Sequence, residues 1–214
     1  MAESTACYLR MLSKGEVIMK LPIMTLSMSG LMALVFIAFG GAPEPFIWLA
    51  DTGFTQTWRM LTAHFVHSDL EHLLWNLAAF MVLGSVIERH SKRDLLYGLI
   101  IGVVAVNIYL SSVYQLAAYA GLSGVLNTLL VIALFKLCQM PSYRAAAMWT
   151  MILSMLKIVV ELYSGHSVFS SIAWQAVPQA HLVGWIAGAA FVSIQAINKF
   201  NTEQRKLYKL SIKV

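Results

Sequence analysis

Six runs of apolar residues, each near the length of a membrane crossing, constrain this chain more than any motif it contains. They read as Leu21 to Phe39, Leu70 to Ile87, Leu95 to Leu116, Ser123 to Cys138, Ala145 to Leu162 and Ala180 to Ile197. A helix needs about 20 apolar residues to cross the hydrocarbon core, because each residue adds only about 1.5 Å. Composition agrees: 59% of the 214 residues are hydrophobic, 12% are charged, and mean hydropathy is +0.71. That is more apolar surface than a water-soluble domain hides in its core. The chain is therefore expected to be an all-α membrane protein of six transmembrane helices. Residues 1–20 read as a polar N-terminal segment, 21–197 as the membrane domain, and 198–214 as a basic tail. Met1 to Lys20 offers no small-residue cleavage site after an apolar stretch, so no removed leader is expected.

Basic residues orient the spans. Arg10, Lys14, Lys20, Arg89, Lys92, Arg93, Lys136, Arg144, Lys199, Arg205, Lys206, Lys209 and Lys213 fall in one alternating set of connections, and the other set holds only Arg59. The positive-inside rule then predicts both termini in the cytoplasm. The net charge of +5 is this asymmetry and not a nucleic-acid footprint. Cys7 and Cys138 lie in or beside the same basic segments, where thiols stay reduced, so no disulfide framework is implied. The connection 40–71 is too long for a bare loop and should carry structure or a function. Its Trp48, Phe54 and Trp58 suit the membrane interface.

With this topology the second, fourth and sixth spans run from outside to inside, and each carries a polar group near its start. His72 and Asn76 begin the second, Ser123 the fourth and His181 the sixth. Their depths should agree to within about 6 to 9 Å, and polar groups at membrane depth tend to face the bundle interior. A serine becomes nucleophilic when a base takes its proton, and histidine suits that role at neutral pH. Ser123 with His181 would form such a dyad. His72 and Asn76, four apart on one helix face, could aim donors at the oxyanion of a tetrahedral intermediate alongside N–H groups beside Ser123. Gly184 and Gly188 share a face with His181, and a GxxxG pair permits a close helix crossing against Gly124. The bland alternative is that Gly121-Leu122-Ser123-Gly124 is an ordinary helix start and the GxxxG only packing.

Trp58-Arg59, His67, His72-Leu73-Leu74-Trp75-Asn76, Gly84-Ser85-Val86-Ile87-Glu88, Gly121-Leu122-Ser123-Gly124 and Ala180-His181-Leu182-Val183-Gly184-Trp185-Ile186-Ala187-Gly188 resemble, in order and spacing, the motifs of the rhomboid intramembrane serine proteases. The resemblance covers about Trp58 to Gly188. It implies a six-helix rhomboid bundle with Ser123 as nucleophile, His181 as general base, and His72 and Asn76 lining the oxyanion hole. It also implies that the first long loop lies partly in the membrane. Within the family the chain looks most like the rhombosortases, a bacterial branch, through the stretch from Trp58 to His67, the Lys157 and Glu161 pair, and Pro178-Gln179-Ala180-His181-Leu182. That likeness implies single-span substrates with a C-terminal Gly-Gly motif, an apolar helix and a basic tail, cut near the outer face of the bacterial inner membrane, with the site opening toward the periplasm. Two positions depart from the pattern: Asn127 stands where this branch often has His and other rhomboids an aromatic, and Thr128 replaces a frequent small residue.

The remaining polar groups have structural readings. His64, His67 and His72 lack the HExxH spacing and a completing carboxylate or thiolate, so no metal or other cofactor is expected. His64, His67 and Ser68 could instead offer water a polar route to the site. Lys157 and Glu161 read as an i,i+4 pair neutralising each other inside the bundle, Asn107 as a bond to another helix, and Glu88 with Arg89 as anchors of the second span's cytoplasmic end. Two other functions compete with a protease: an inactive rhomboid-like protein that binds or escorts transmembrane helices, and a transporter. The absence of polar groups in the cytoplasmic half of the spans argues against transport.

Overall fold

A computed structural model describes residues 21–112, 116–168, 174 and 177–211, without the side chains of residues 53, 54 and 206–211. The expectations for residues 1–20, including Cys7, Arg10, Lys14 and Lys20, and for Lys213 lie outside the described residues. Among the described residues six long helices form the bundle: α1 Ile23–Phe39, α3 Leu70–His90, α4 Lys92–Ser112, α5 Ser123–Cys138, α6 Pro141–Ser164 and α7 Pro178–Ser211. A four-residue helix, α2 (Arg59–Thr62), sits in the long first connection. Two-residue strands β1 (Trp48–Leu49) and β2 (Ala118–Tyr119) pair antiparallel, Trp48 opposite Tyr119.

Among the described residues, α3, α4, α6 and α7 are long and apolar enough to cross a membrane, while α1 and α5 are apolar but shorter, at 17 and 16 residues. Helix ends differ from the apolar runs for local reasons. Pro141, which lies between the fourth and fifth apolar runs, is the first residue of α6, where its missing N–H costs no hydrogen bond. The third span, expected to reach Leu116, is helical from Lys92 to Ser112 within the described residues, Leu116 is not helical, and Ala118 and Tyr119 go to β2. The last helix runs past Ile197 to Ser211, because leaving the apolar layer does not end a helix when the next residues also favour one. The break between α3 and α4 is one extended residue, Ser91, whose hydroxyl caps the Asp94 N–H at 3.1 Å.

The central helix is α5, packed by α3, α4, α6 and α7. Val125, Leu129 and Ile132 on it are fully buried beside Phe80 and Ile87 of α3 and Leu95 of α4. The peripheral helices turn apolar side chains outward: Leu34 and Ile37 on α1 and Trp149, Ile152 and Leu156 on α6 are all more than half exposed. An outward apolar surface on this scale requires a lipid solvent. This is an integral membrane protein.

Polar contacts inside the bundle fix how the helices meet. Glu88, 4% exposed, accepts from Met24 N–H, Thr25 N–H and the Thr25 hydroxyl at 2.9 to 3.0 Å, so it caps the start of α1 from α3. The connection 40–69 is held by Arg59, 4% exposed, which donates to the carbonyls of Glu44 and Ile47 and pairs with the Glu44 carboxylate at 2.7 Å. Asn107 bonds another helix as expected, but that helix is α2: its amide donates to Met60 O at 2.7 Å.

Candidate active site

Ser123 opens α5 as its first helical residue, with Leu122 as the N-cap and no side-chain capping bond. Its hydroxyl is therefore not spent as a helix cap. Instead Ser123 Oγ lies 3.0 Å from His181 Nε2. The approach depends on glycine: a Cβ at Gly184 would sit 1.9 Å from Gly124 O, and one at Gly188 2.7 Å from Thr128 O. Only hydrogen on both residues lets α7 cross α5 this closely, and Thr128 Oγ1 locks the crossing by donating to Gly184 O at 2.8 Å. The expected GxxxG contact with Gly124 is thus present.

The four residues singled out from the sequence share one cavity. Ser123, His181, His72 and Asn76 line a space of about 350 Å³, together with Tyr119, Asn127 and Lys157. Asp69 caps α3 by accepting from His72 N–H at 2.8 Å, and Ser68 Oγ lies 3.2 Å from His72 Nδ1. Gly121, at φ 115°, carries the chain past the His72 ring, where a Cβ would lie 2.5 Å from Cε1. Asn76 spends one amide hydrogen on His72 O at 2.8 Å. The first turn of α5 leaves N–H groups without intrahelical acceptors, with the positive end of the helix dipole beside Ser123 Oγ. A hydroxyl, an imidazole base and backbone donors around one cavity are the components of acyl transfer.

The sequence matches the family model of the Rhomboid domain over residues 55–197. The chain belongs to the rhomboid family. It is similar to the rhomboid protease GlpG of Serratia proteamaculans, 25% identical over 158 residues that cover 73% of this chain and 55% of the relative. It is also similar to the rhomboid protease GlpG of Photorhabdus laumondii, 26% identical over 110 residues, or 50% of this chain and 39% of that one. The match thus spans about half, or less, of each of these relatives' length.

Several sequence-based expectations for this rhomboid change in detail. His64 and His67, expected to line a water route, are buried at 0% and 1% exposure and do not border the cavity. His64 packs edge-on against Tyr119 and His67 against His72. These contacts with β2 and α3 bury both rings away from the cavity. Asn127 turns back along its helix, donating to Ser123 O at 2.9 Å. Lys157 and Glu161 form the expected pair at 2.6 Å, but the other oxygen of Glu161 is 2.9 Å from His181 Nδ1. That partner was missed because the pair looked self-sufficient. The signal was available, since Glu161 lies as near the end of α6 as His181 does to the start of α7.

Burial sets the ionisation of the loop groups. Desolvation lowers His64 from 6.5 to about 4 and His67 from 6.5 to about 3, and raises the Tyr119 phenol to about 12. Both histidines are neutral in the folded protein at pH 7. Below pH 6.5 the unfolded chain takes up protons there that the folded chain refuses. Stability is therefore complete above pH 6.5 and falls as pH drops from 6.5 toward 4, by about 1.4 kcal/mol per pH unit for each histidine. Thermal unfolding in detergent micelles from pH 8 to pH 4 checks this. The expected result is a midpoint that is level above pH 6.5 and falls below it, with a shallower fall in His67→Gln.

Proposed function

We propose that this rhomboid is an intramembrane serine endopeptidase in which Ser123 is the nucleophile and His181 the general base. The observation that carries the reading is the 3.0 Å contact between Ser123 Oγ and His181 Nε2 at the wall of the cavity. His181 takes the hydroxyl proton as Oγ bonds to the scissile carbonyl carbon, then returns it to the leaving amine as the acyl-enzyme forms. Water, deprotonated by the same imidazole, hydrolyses the ester. The oxyanion is held by N–H groups of the first turn of α5 with His72 and Asn76. That two similar proteins are called rhomboid proteases supports the same activity here.

In this reading all six long helices cross the bilayer, both termini are cytoplasmic, and α3, α5 and α7 start on the outer side. The 16 residues of α5 extend about 24 Å, less than the roughly 30 Å hydrocarbon core. Ser123 then lies below the outer face, and a substrate helix must unwind there to present an extended segment. The substrate is a single-span protein with a C-terminal Gly-Gly motif, an apolar helix and a basic tail, as for a rhombosortase of the bacterial inner membrane opening to the periplasm. Glycines at the cleavage point ease unwinding, each by about 1 kcal/mol relative to alanine.

The test uses purified protein in liposomes with a tagged substrate of this design and, separately, a fluorophosphonate. The tail should be released next to Gly-Gly, and the fluorophosphonate adduct should map to Ser123 by mass spectrometry and vanish in Ser123→Ala. Cutting a Leu-Leu substrate as fast as the Gly-Gly one would reject the rhombosortase specificity. No adduct and no cleavage of any single-span substrate would leave a helix-binding protein.

A further inference from the structure

Glu161 sits one turn before the end of α6 with no solvent exposure. A buried carboxylate in an apolar bundle is costly unless its oxygens are bonded. One oxygen, Oε1, is met by Lys157 Nζ at 2.6 Å and by the Val168 N–H at 3.1 Å, enough to account for a structural ion pair. The second oxygen is not used by either. Oε2 lies 2.9 Å from His181 Nδ1, and the opposite nitrogen of the same ring lies 3.0 Å from Ser123 Oγ. Hydroxyl, imidazole and carboxylate thus stand in one line across α5, α7 and α6.

We propose that Glu161 is a positioning residue for His181, so that this site works as a Ser123-His181-Glu161 triad and not as a dyad. The proposal rests on the serine-protease reading and deepens it. The groups that bond Glu161 are donors, which suits the ionised carboxylate. An ionised Oε2 requires the hydrogen on Nδ1, which leaves the lone pair of Nε2 facing the Ser123 hydroxyl. When Oγ attacks, the Oγ–H bond breaks, the Nε2–H bond forms, and the carbonyl π pair moves onto its oxygen. The imidazolium so created has a negative charge 2.9 Å from Nδ1, and the carboxylate stabilises it without taking the proton. Lys157 holds Oε1 and thereby keeps Oε2 turned toward the ring. Among the described residues around His181, the titratable groups are Glu161 and Lys157 from α6, His72 from α3 and Tyr119 from β2.

The experiment compares the wild type, Glu161→Gln, Glu161→Asp, Lys157→Met and Ser123→Ala in liposomes, reading kcat, KM and the pH profile of kcat on the tagged Gly-Gly substrate. Glu161→Gln should lower kcat by about 10²- to 10⁴-fold with little change in KM. Its acid limb should move to lower pH, because an amide no longer stabilises the imidazolium. Glu161→Asp should recover part of the rate, and Lys157→Met, which keeps the carboxylate and removes a cation, should not move the acid limb to lower pH. A merely structural ion pair predicts that Glu161→Gln and Lys157→Met behave alike, with the acid limb unmoved. That result, with Ser123→Ala inactive, overturns the triad and leaves the nucleophile assignment standing. Cleavage by Ser123→Ala overturns the serine-protease reading on which the triad rests. If the Gln variant does not fold, ¹⁵N-histidine NMR of the wild type, assigned against His181→Ala, decides the question: an Nδ1–H tautomer is expected, and an Nε2–H tautomer rejects the proposal.

Discussion

Ser123→Ala and His181→Ala are each expected to lower cleavage by about 10⁴- to 10⁶-fold, and the double variant no further than either alone. The physical reason is that in the proposed mechanism the hydroxyl and the imidazole, 3.0 Å apart, perform one act. Without the base the hydroxyl keeps its proton, and without the hydroxyl the base has none to take. Residual activity would come from the cavity and its backbone donors, which neither change removes. Initial rates in liposomes, with folding verified by thermal unfolding, give the cycle. Losses that multiply in the double variant would show two independent contributions, and the assignment of a nucleophile-base pair would fall.

Gly184→Ala should cost both stability and activity without touching a chemical group. The added Cβ would lie 1.9 Å from Gly124 O, whereas ordinary contact begins at 3.4 Å, and the atom it meets is the backbone of the central helix. No side chain can swing aside, so α7 must move. Overpacking of this kind costs about 1 to 3 kcal/mol and more where neighbours are rigid. His181 is three residues earlier on the same helix face, so the shift also carries the imidazole away from Ser123. A misplacement of about 1 Å at a reacting pair costs about 10²-fold in rate. The expected result is a lower unfolding midpoint together with loss of fluorophosphonate labelling. Gly30→Ala on α1, where a Cβ meets nothing within 4 Å, serves as the control and should change neither. Wild-type labelling in Gly184→Ala would mean that α7 and α5 are not packed as described.

Helices were readable from the apolar runs because burial in lipid demands near-continuous apolarity, and a start such as Ser123 carried its own signal in the Gly and Ser around it. Helix ends were less readable. Pro141 looks like a breaker in sequence yet begins α6, and the polar residues after Ile197 look like a tail yet continue α7. Hydropathy reports where the membrane stops, and hydrogen bonding reports where the helix stops. In the candidate site, Ser123, His181, His72 and Asn76 were found because counted charges put them at one depth, and the same depth argument applied to Glu161. It was passed over because Lys157 at i,i+4 already explained a carboxylate inside a span. One partner per charge is the minimum that burial requires, and a carboxylate has two oxygens.

The amino-acid order alone establishes a membrane protein of packed helices, which polar groups stand near the starts of alternate apolar runs, and where a helix pair can approach. These follow from length, spacing and side-chain size, all local quantities. Which of those polar groups touch is a matter of tertiary packing. Rotation of each helix about its axis sets whether a side chain faces the cavity, the loop or lipid, and that rotation is fixed by contacts among several helices at once. Such contacts buried His64 against Tyr119 and His67 against His72, and brought Glu161 to the far side of His181.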